Sequence, residues 1–545
     1  MRVPPVGCTP DPGGVQGTGN VKGTQGAHAG ERTDAGPGVF IVPMALIGGL
    51  LVLGRLPRIQ QSEPLAWSFW GAALLLLAWQ AAIFLWKWGT PAPRLELSRP
   101  RAQHYVQSLC QLGVYAYWGW FWPPVYAYSP LLLGQLVFAY AFDLLLAWSR
   151  RQPYALGFGP FPIVFSTNLF LWFRDDWFAL QFVLIAVGFL GKAFVRWRRD
   201  GRDVHIFNPS AFTLALFSLV LLATGTTGLT WAQEINTTFS LGPSIYLALF
   251  LIGLVVMYFF AITPVTAAAA ATLFAGSAIY YAVTGVPYFV DSEIPSAVFL
   301  GLHLLVTDPS TSPRTPIGRA VFGAMYGVGV LTLFGVLGAL GLPTFYDKLL
   351  SVPLLNLCVP AIDRAVEKWR TRPIVTALRL EGPIGRGNLA HMAVWVAFFA
   401  VMTAFGATDG MHRGDALPFW QQACGENRPQ ACQRLLNIEA SYCLDNSGWA
   451  CNELGRYSLE GRLVPVDREG ALAYFARACE ARFQPGCLNL LDEADVARAE
   501  PRTMDLRLLL RQGGLNLMDM TEPDLYARAC RHGWAFACDK ASASR

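Results

Sequence analysis

Apolar runs broken by short charged loops fill the first three-quarters of the chain. A membrane crossing needs about 20 consecutive apolar residues. Nine stretches reach or approach that length: 39–54, 66–86, 105–125, 128–148, 177–195, 211–228, 245–262, 265–283 and 321–342. Three shorter ones, 161–173, 296–306 and 349–362, read as half-helices or tilted spans, and an isolated span follows at 391–407. Aromatic residues crowd 115–128, as expected at a headgroup boundary. The pattern predicts an all-α protein: a polytopic transmembrane helical bundle of about 10–12 spans, followed by a small helical domain.

Composition divides the chain in the same place. Of its 545 residues 53% are hydrophobic and 14% charged. That 14% is an average of two parts, since residues 408–545 carry 35 charges in 138 positions and residues 1–407 carry 44. The tail therefore has the charge density of a soluble protein and the body does not. The expected organisation is a disordered N-terminus over 1–38, a membrane domain over 39–363, a basic linker over 364–390, a span over 391–407 and an external domain over 408–545. The N-terminus is rich in Gly, Thr and Pro, has no apolar stretch in its first 30 residues, and does not read as a signal peptide. The low charge of the body excludes a single soluble enzyme and a disordered protein, and a nucleic-acid binder is excluded because the net charge of +5 includes no concentrated basic run.

Lys and Arg placement sets the orientation. The basic loops are 94–101, 150–151, 196–202, 314–319 and 364–386, whereas Asp175–Asp176, Glu234 and the acidic residues at 291–293 lie in the loops between them. If every stretch crosses, the two sets alternate sides. The N-terminus and basic loops are then cytoplasmic in a bacterial inner membrane, and the tail is external. Arg55 and Arg58 fall on the wrong side of this scheme.

Eight of the 11 Cys lie in the tail as four pairs of identical spacing: Cys424 with Cys432, Cys443 with Cys451, Cys479 with Cys487, and Cys530 with Cys538. Eight residues of one helix rise about 12 Å, too far for a disulfide. A turn between the two Cys removes the difficulty, so that each bridge staples the end of one helix to the start of the next. Zinc is the rival reading, but its sites use shorter spacings and the tail has only two His. Disulfides require the oxidising side on which the charges place the tail. Leu454, Gly455, Tyr457, Gly461, Asp467, Ala471, Tyr474, Ala478, Cys479 and Cys487 make this region resemble cysteine-rich Sel-like repeats. The resemblance implies a surface for a protein or peptide partner.

In the body, two loops combine helix breakers with polar groups. One contains His205 and Phe207-Asn208-Pro209-Ser210; the other contains Thr307-Asp308-Pro309-Ser310, followed by Gly318-Arg319 and Phe322-Gly323. Broken helices survive in membranes only where they are buried or line a cavity, and their ends bind ions or polar ligands. His303, on the half-helix before the second loop, reads as a residue hydrogen-bonded inside the bundle. Together the two loops resemble those of the D subunit of Rnf electron-transport complexes and the B subunit of the sodium-translocating NADH:quinone oxidoreductase. Membrane proteins linked to enediyne biosynthesis share the same elements. The resemblance implies a ten-helix core of two related halves and membrane electron transfer with FMN esterified to a Thr in a Ser-Gly-Ala-Thr sequence. No such sequence occurs here; the nearest is Thr227-Gly228-Leu229-Thr230, with Thr237 and Thr238 in the same loop. No nicotinamide, haem or iron–sulfur motif occurs either, so any enzyme activity is that of one subunit of a redox-driven translocase.

The expected function is a membrane subunit for electron transport or ion translocation, with other subunits and membrane lipid as partners. Asn208 and Asp308 would cap half-helices and contact a cofactor or cation, Thr307 and Ser310 would support them, and His205, Ser210 and Thr230 complete the candidate set. The alternatives are a flavin-free transporter or channel of the same fold, and a membrane-anchored scaffold acting through its helical repeats.

Overall fold

In lipid every backbone polar group must find its partner within the protein, which favours helices. The computed structural model describes residues 38–86, 95–97, 102–199, 201–290, 292–370, 384–408, 412–444 and 446–492, and they are overwhelmingly helical. The body comprises α1 (Gly38–Leu53), α2 (Glu63–Trp86), α3 (Ala102–Phe121), α4 (Ser129–Ser149), α5 (Pro160–Asn168), α6 (Ala179–Phe194), α7 (Pro209–Thr224), α8 (Ala232–Thr238), α9 (Ile245–Phe260), α10 (Thr263–Thr284), α11 (Ser296–Leu304), α12 (Pro316–Ala339), α13 (Asp347–Arg370) and α14 (Ile384–Ala404). Strands are few: β1 (Leu95–Leu97) runs parallel to β2 (Tyr154–Leu156), and β3 (Arg196–Arg199) pairs antiparallel with β4 (Arg202–His205).

The helices fall into two similar sets. In the first, α5 packs on α3 and α4, α6 on α4, and α7 on α6; in the second, α11 packs on α9 and α10, α12 on α10, and α13 on α12. Each set thus has one nine-residue helix, α5 or α11, in third place. Like meets like between the sets, α3 against α9 and α7 against α13. The leading pair α1–α2 leans on α4, and α14 leans on α10, the corresponding member of the second set.

Six helical segments of the described residues are long and apolar enough to cross a membrane: α2, α4, α10, α12, Thr344–Lys368 and Gly387–Ala404. The Ala232–Leu241 and Ile245–Phe260 segments qualify only jointly, bent by 100°. Helices α6 and α7 have 16 residues each, about 24 Å, short of a hydrocarbon core about 30 Å thick. Of the two readings of 349–362, half-helix or tilted span, the half-helix is excluded: the stretch is the middle of the 24-residue α13, which continues through Pro353 and Pro360. In a membrane bundle proline need not end a helix, because neighbouring groups can re-satisfy the carbonyls it frees. The basic loop 196–202 is likewise a hairpin.

The tail consists of α15 (Leu417–Gly425), α16 (Ala431–Leu444), α17 (Gly448–Glu460), α18 (Arg468–Glu480) and α19 (Gln484–Asp492), each packed on the next. Disulfides join Cys424 to Cys432, Cys443 to Cys451 and Cys479 to Cys487, each linking the end of one helix to the start of the following one. The fourth expected bridge, Cys530 to Cys538, is not among them. Both Cys530 and Cys538 lie outside the described residues, which end at Asp492. Gly461 takes φ +67° and ends α17, and the Asp467 carboxylate caps α18 through the Gly470 N–H. Gly455 meets Phe475 of α18, where a side chain would clash.

The tail is docked on the body at the α10–α11 loop. Arg428 donates to the Gly285 carbonyl (2.7 Å), and Arg434 donates to the carbonyls of Pro287 and Tyr288. His412 approaches Glu293 at 3.5 Å, and Ser277 donates to the same carboxylate at 2.6 Å. The His412 contact, working against burial and aided by Ser277, holds the Glu293 carboxyl below its ordinary range. Its contribution to docking is therefore present above the usual Glu value and is lost as pH falls through the lowered one.

Glu439 on α16 behaves oppositely. It is fully buried, one oxygen meets the Tyr457 hydroxyl at 3.3 Å, and the other has no partner. Burial, with Glu453 nearby, pushes its carboxyl up to about 8. Its raised value makes the tail most stable below the ordinary Glu value, with stability lost as pH rises towards 8. Glu439→Gln is expected to flatten this loss. Limited proteolysis of the tail across pH 5–9 checks it; an unchanged pH profile refutes the assignment.

Candidate functional site

The two broken-helix loops meet. Asn208 precedes Pro209, whose fixed φ suits the first helical position of α7. The Asn208 side-chain oxygen accepts from the N–H groups of Ser210 (3.0 Å) and Ala211 (3.3 Å), capping that helix. Its side-chain nitrogen donates to the Leu305 carbonyl at the end of α11, 3.0 Å away and 97 residues along the chain. One side chain therefore satisfies the start of one broken helix and the end of another.

Asp308 follows α11. Its Oδ1 accepts from the Ser310 N–H (2.9 Å) and hydroxyl (2.7 Å), and its Oδ2 accepts from Thr311 (3.2 Å). The β3–β4 hairpin delivers His205, whose Nε2 lies 3.0 Å from the Ser310 hydroxyl and 3.8 Å from Asp308 Oδ2. The two side chains keep 22% and 23% exposure, so the pair opens to the surface while Asn208 beneath it is buried. Burial pushes the Asp308 carboxyl up, but His205 and the Ser310 donors outweigh it and leave it below its ordinary value. A carboxylate beside an imidazole can pass a proton or face a cation.

The remaining sequence candidates are placed differently. Ser210 is buried and donates to the Ile163 carbonyl of α5 (3.3 Å), tying the start of α7 to the short helix of its own half. The Thr307 hydroxyl turns back to the His303 carbonyl (2.7 Å). His303 is buried, with Nδ1 on the Phe299 carbonyl and no partner for Nε2. Thr230 lies beyond the far end of α7, a helix about 24 Å long, and is not part of the node.

Three contributors escaped the sequence reading. Asn356 accepts from the Asn208 N–H (3.2 Å) and donates to the Thr311 carbonyl (3.2 Å). Asp363 pairs with Arg199 of the hairpin (2.6 Å) and accepts from the Arg314 N–H (3.1 Å). Both lie on α13, two turns apart and therefore on one face, a spacing that could have exposed them. The third is the hairpin itself, announced by Asp200-Gly201 between alternating residues.

At the opposite end, Arg174 pairs with Glu234 (2.7 Å) and stacks over Trp231. Thr230 is 3% exposed, is bridged to Phe173, and donates its hydroxyl to the Thr227 carbonyl (3.0 Å). Thr237 and Thr238 donate to carbonyls of their own helix. A flavin ester needs a hydroxyl with open space around it, and these three do not fit one.

Most of the node's residues fall in one recognisable segment. Residues 207–372 match the NQR2, RnfD, RnfE family. The match begins at Phe207 and takes in Asn208, Asp308, Asn356 and Asp363, though not His205. The chain is also 31% identical over 156 residues to the D subunit of the ion-translocating oxidoreductase complex of Actinobacillus succinogenes. That alignment covers 28% of this chain and 39% of the relative. No solved structure matches the chain.

Asn356→Ala leaves the Asn208 N–H and the Thr311 carbonyl unpaired in a buried setting, at a cost of about 1–3 kcal/mol for each group. A lower thermal midpoint is expected for the purified variant. An unchanged midpoint would show that the node does not bear on stability.

Proposed function

We propose that this chain is the membrane subunit of an ion-translocating oxidoreductase complex. The observation that carries the reading is the node: two broken-helix motifs, about 100 residues apart, joined by Asn208 and Asp308 within or at the edge of the family-matching segment. In this reading the His205–Asp308–Ser310 rim contacts a cofactor or cation, while Asn208, Ser210 and Thr307 hold it in place. Other subunits supply the electron donor and acceptor. The tail, read as Sel-like repeats, faces outward from a bacterial inner membrane and binds a protein or peptide.

The buried Thr230 favours a second reading in which ions move through this fold without flavin. The two readings separate in one experiment. Redox function predicts flavin in the purified complex, released by denaturation if non-covalent and retained in a fluorescent gel band if covalent. Absence of both leaves the flavin-free transporter. In either case Asp308→Asn is expected to lower ion flux into vesicles several-fold, and wild-type flux would overturn the assignment of the node. For orientation, protease added outside intact spheroplasts should remove the tail and spare the basic loops.

A further inference from the structure

Where the tail docks, the body presents residues 285–290, which are neither helix nor strand. The tail grips this segment as it would a bound peptide. Val286 is fully buried and joins the tail's own apolar core, with Leu417, Trp420 and Leu435. The carbonyls of Gly285, Pro287 and Tyr288 accept from Arg428 and Arg434, and Arg434 also lies 5.5 Å from the ring centre of Trp420. Gly414 approaches the Val290 carbonyl so closely that no side chain would fit between them. The segment leads into α11, the short helix that ends beside the node.

One disulfide holds both arginines in place. Arg428 is the midpoint of the loop that Cys424 and Cys432 close, and Arg434 shares the first turn of α16 with Cys432. Glu426, in the same loop, pairs with Arg428 at 2.6 Å. Two residues of that loop, Asn427 and Gln430, stand at φ +55° and +60°, a region that residues with side chains rarely adopt. The closed ring keeps the turn in this conformation. Access distinguishes the three bridges. Cys443 and Cys451 are both fully buried. Cys432 is half-buried, and Asn427 and Gln430 beside it are exposed. Cys479 and Cys487 are also half-buried, but they join α18 to α19 and not the two helices that grip the segment.

We propose that the Cys424–Cys432 bridge is a thiol–disulfide exchange site whose redox state latches the tail onto the loop feeding α11. The co-reactant is a protein dithiol. One of its thiolates attacks the Cys432 sulfur, and Cys424 leaves as a thiolate that takes up a proton. The second thiol of the reductant then attacks the mixed disulfide. Cys432 is released as a thiol and the reductant is left as a disulfide, so two electrons and two protons pass to this chain. Without the ring, Asn427 and Gln430 return to ordinary φ values and Arg428 withdraws from Gly285. The first turn of α16, with Arg434, loosens as a local opening while the buried Cys443–Cys451 bridge keeps the rest of the tail folded. The latch works in the same way whether the body carries electrons or ions.

Hydrogen–deuterium exchange of the full-length protein in detergent, with and without dithiothreitol, tests the latch. Alkylation read by mass spectrometry reports which Cys are reduced. Dithiothreitol is expected to reduce Cys424 and Cys432 while Cys443 and Cys451 stay bridged, and to raise exchange over residues 285–290 several-fold. The double variant Cys424→Ser, Cys432→Ser should show the raised exchange without reductant and no further response. The double variant Cys479→Ser, Cys487→Ser should keep the wild-type response. Arg428→Gln, which leaves the bridge in place, should raise exchange over the same residues in the oxidised protein. A Cys424–Cys432 bridge that resists dithiothreitol, or unchanged exchange once it is reduced, would overturn the proposal. So would a response that survives Cys424→Ser with Cys432→Ser or is lost in Cys479→Ser with Cys487→Ser, wild-type exchange in Arg428→Gln, or a rise spread equally through α17 and α18, the mark of general unfolding.

Discussion

A helix that stops inside a membrane protein leaves backbone groups unpaired, and lipid offers them nothing. The junction between the two halves of this body depends on how that requirement is met. Asn208 accepts from the first N–H groups of α7 and donates to the last carbonyl region of α11, so neither end is left to the bilayer. Asn356 then fixes the Asn208 backbone, and Asp363 holds the hairpin that carries His205. The exposed rim of His205, Asp308 and Ser310 rests on this buried amide network.

The same requirement shapes the first half, with different residues. There α5 ends at Asn168, whose side chain bonds Gln135, Gln181 and the Val164 carbonyl, while Gln181 also accepts from the Phe173 N–H. Asn168, Gln135 and Gln181 are all buried, and all are neutral. The two halves thus share a helix arrangement but not a chemistry. Only the second short helix ends beside a titratable pair open to the surface, and that asymmetry locates the candidate site.

The tail and α14 are built into the body rather than hung from it. Asn388 on α14 donates to the Met257 carbonyl at the end of α9 and accepts from Thr263 at the start of α10. Trp395 packs near His303 on α11. The tail's arginines hold the loop that leads into α11 from the other side. The short helix α11, which ends just before Asp308, is therefore bounded by the tail at one end and by the node at the other.

Much of this was legible in the sequence. Apolar run length set nearly every long helix of the body to within a few residues, because burial in lipid is a local property of composition. The half-helices followed from the same rule, and the C-x7-C spacing dictated a turn between bridged cysteines because a straight helix cannot close that distance. Asn208 and Asp308 were visible as polar residues beside prolines in apolar surroundings. Folding in three dimensions decided the rest. Proline at 353 and 360 reads as a breaker, yet α13 runs through both. Asn356 and Asp363 look like ordinary polar interruptions until α7 lies against α13. Thr230 and Asn208 bound the same short helix, and only its length, standing between them, separates one from the other's chemistry. Composition specifies where a chain enters lipid, but which polar groups meet there depends on helix pairings between distant segments, and no local pattern encodes those.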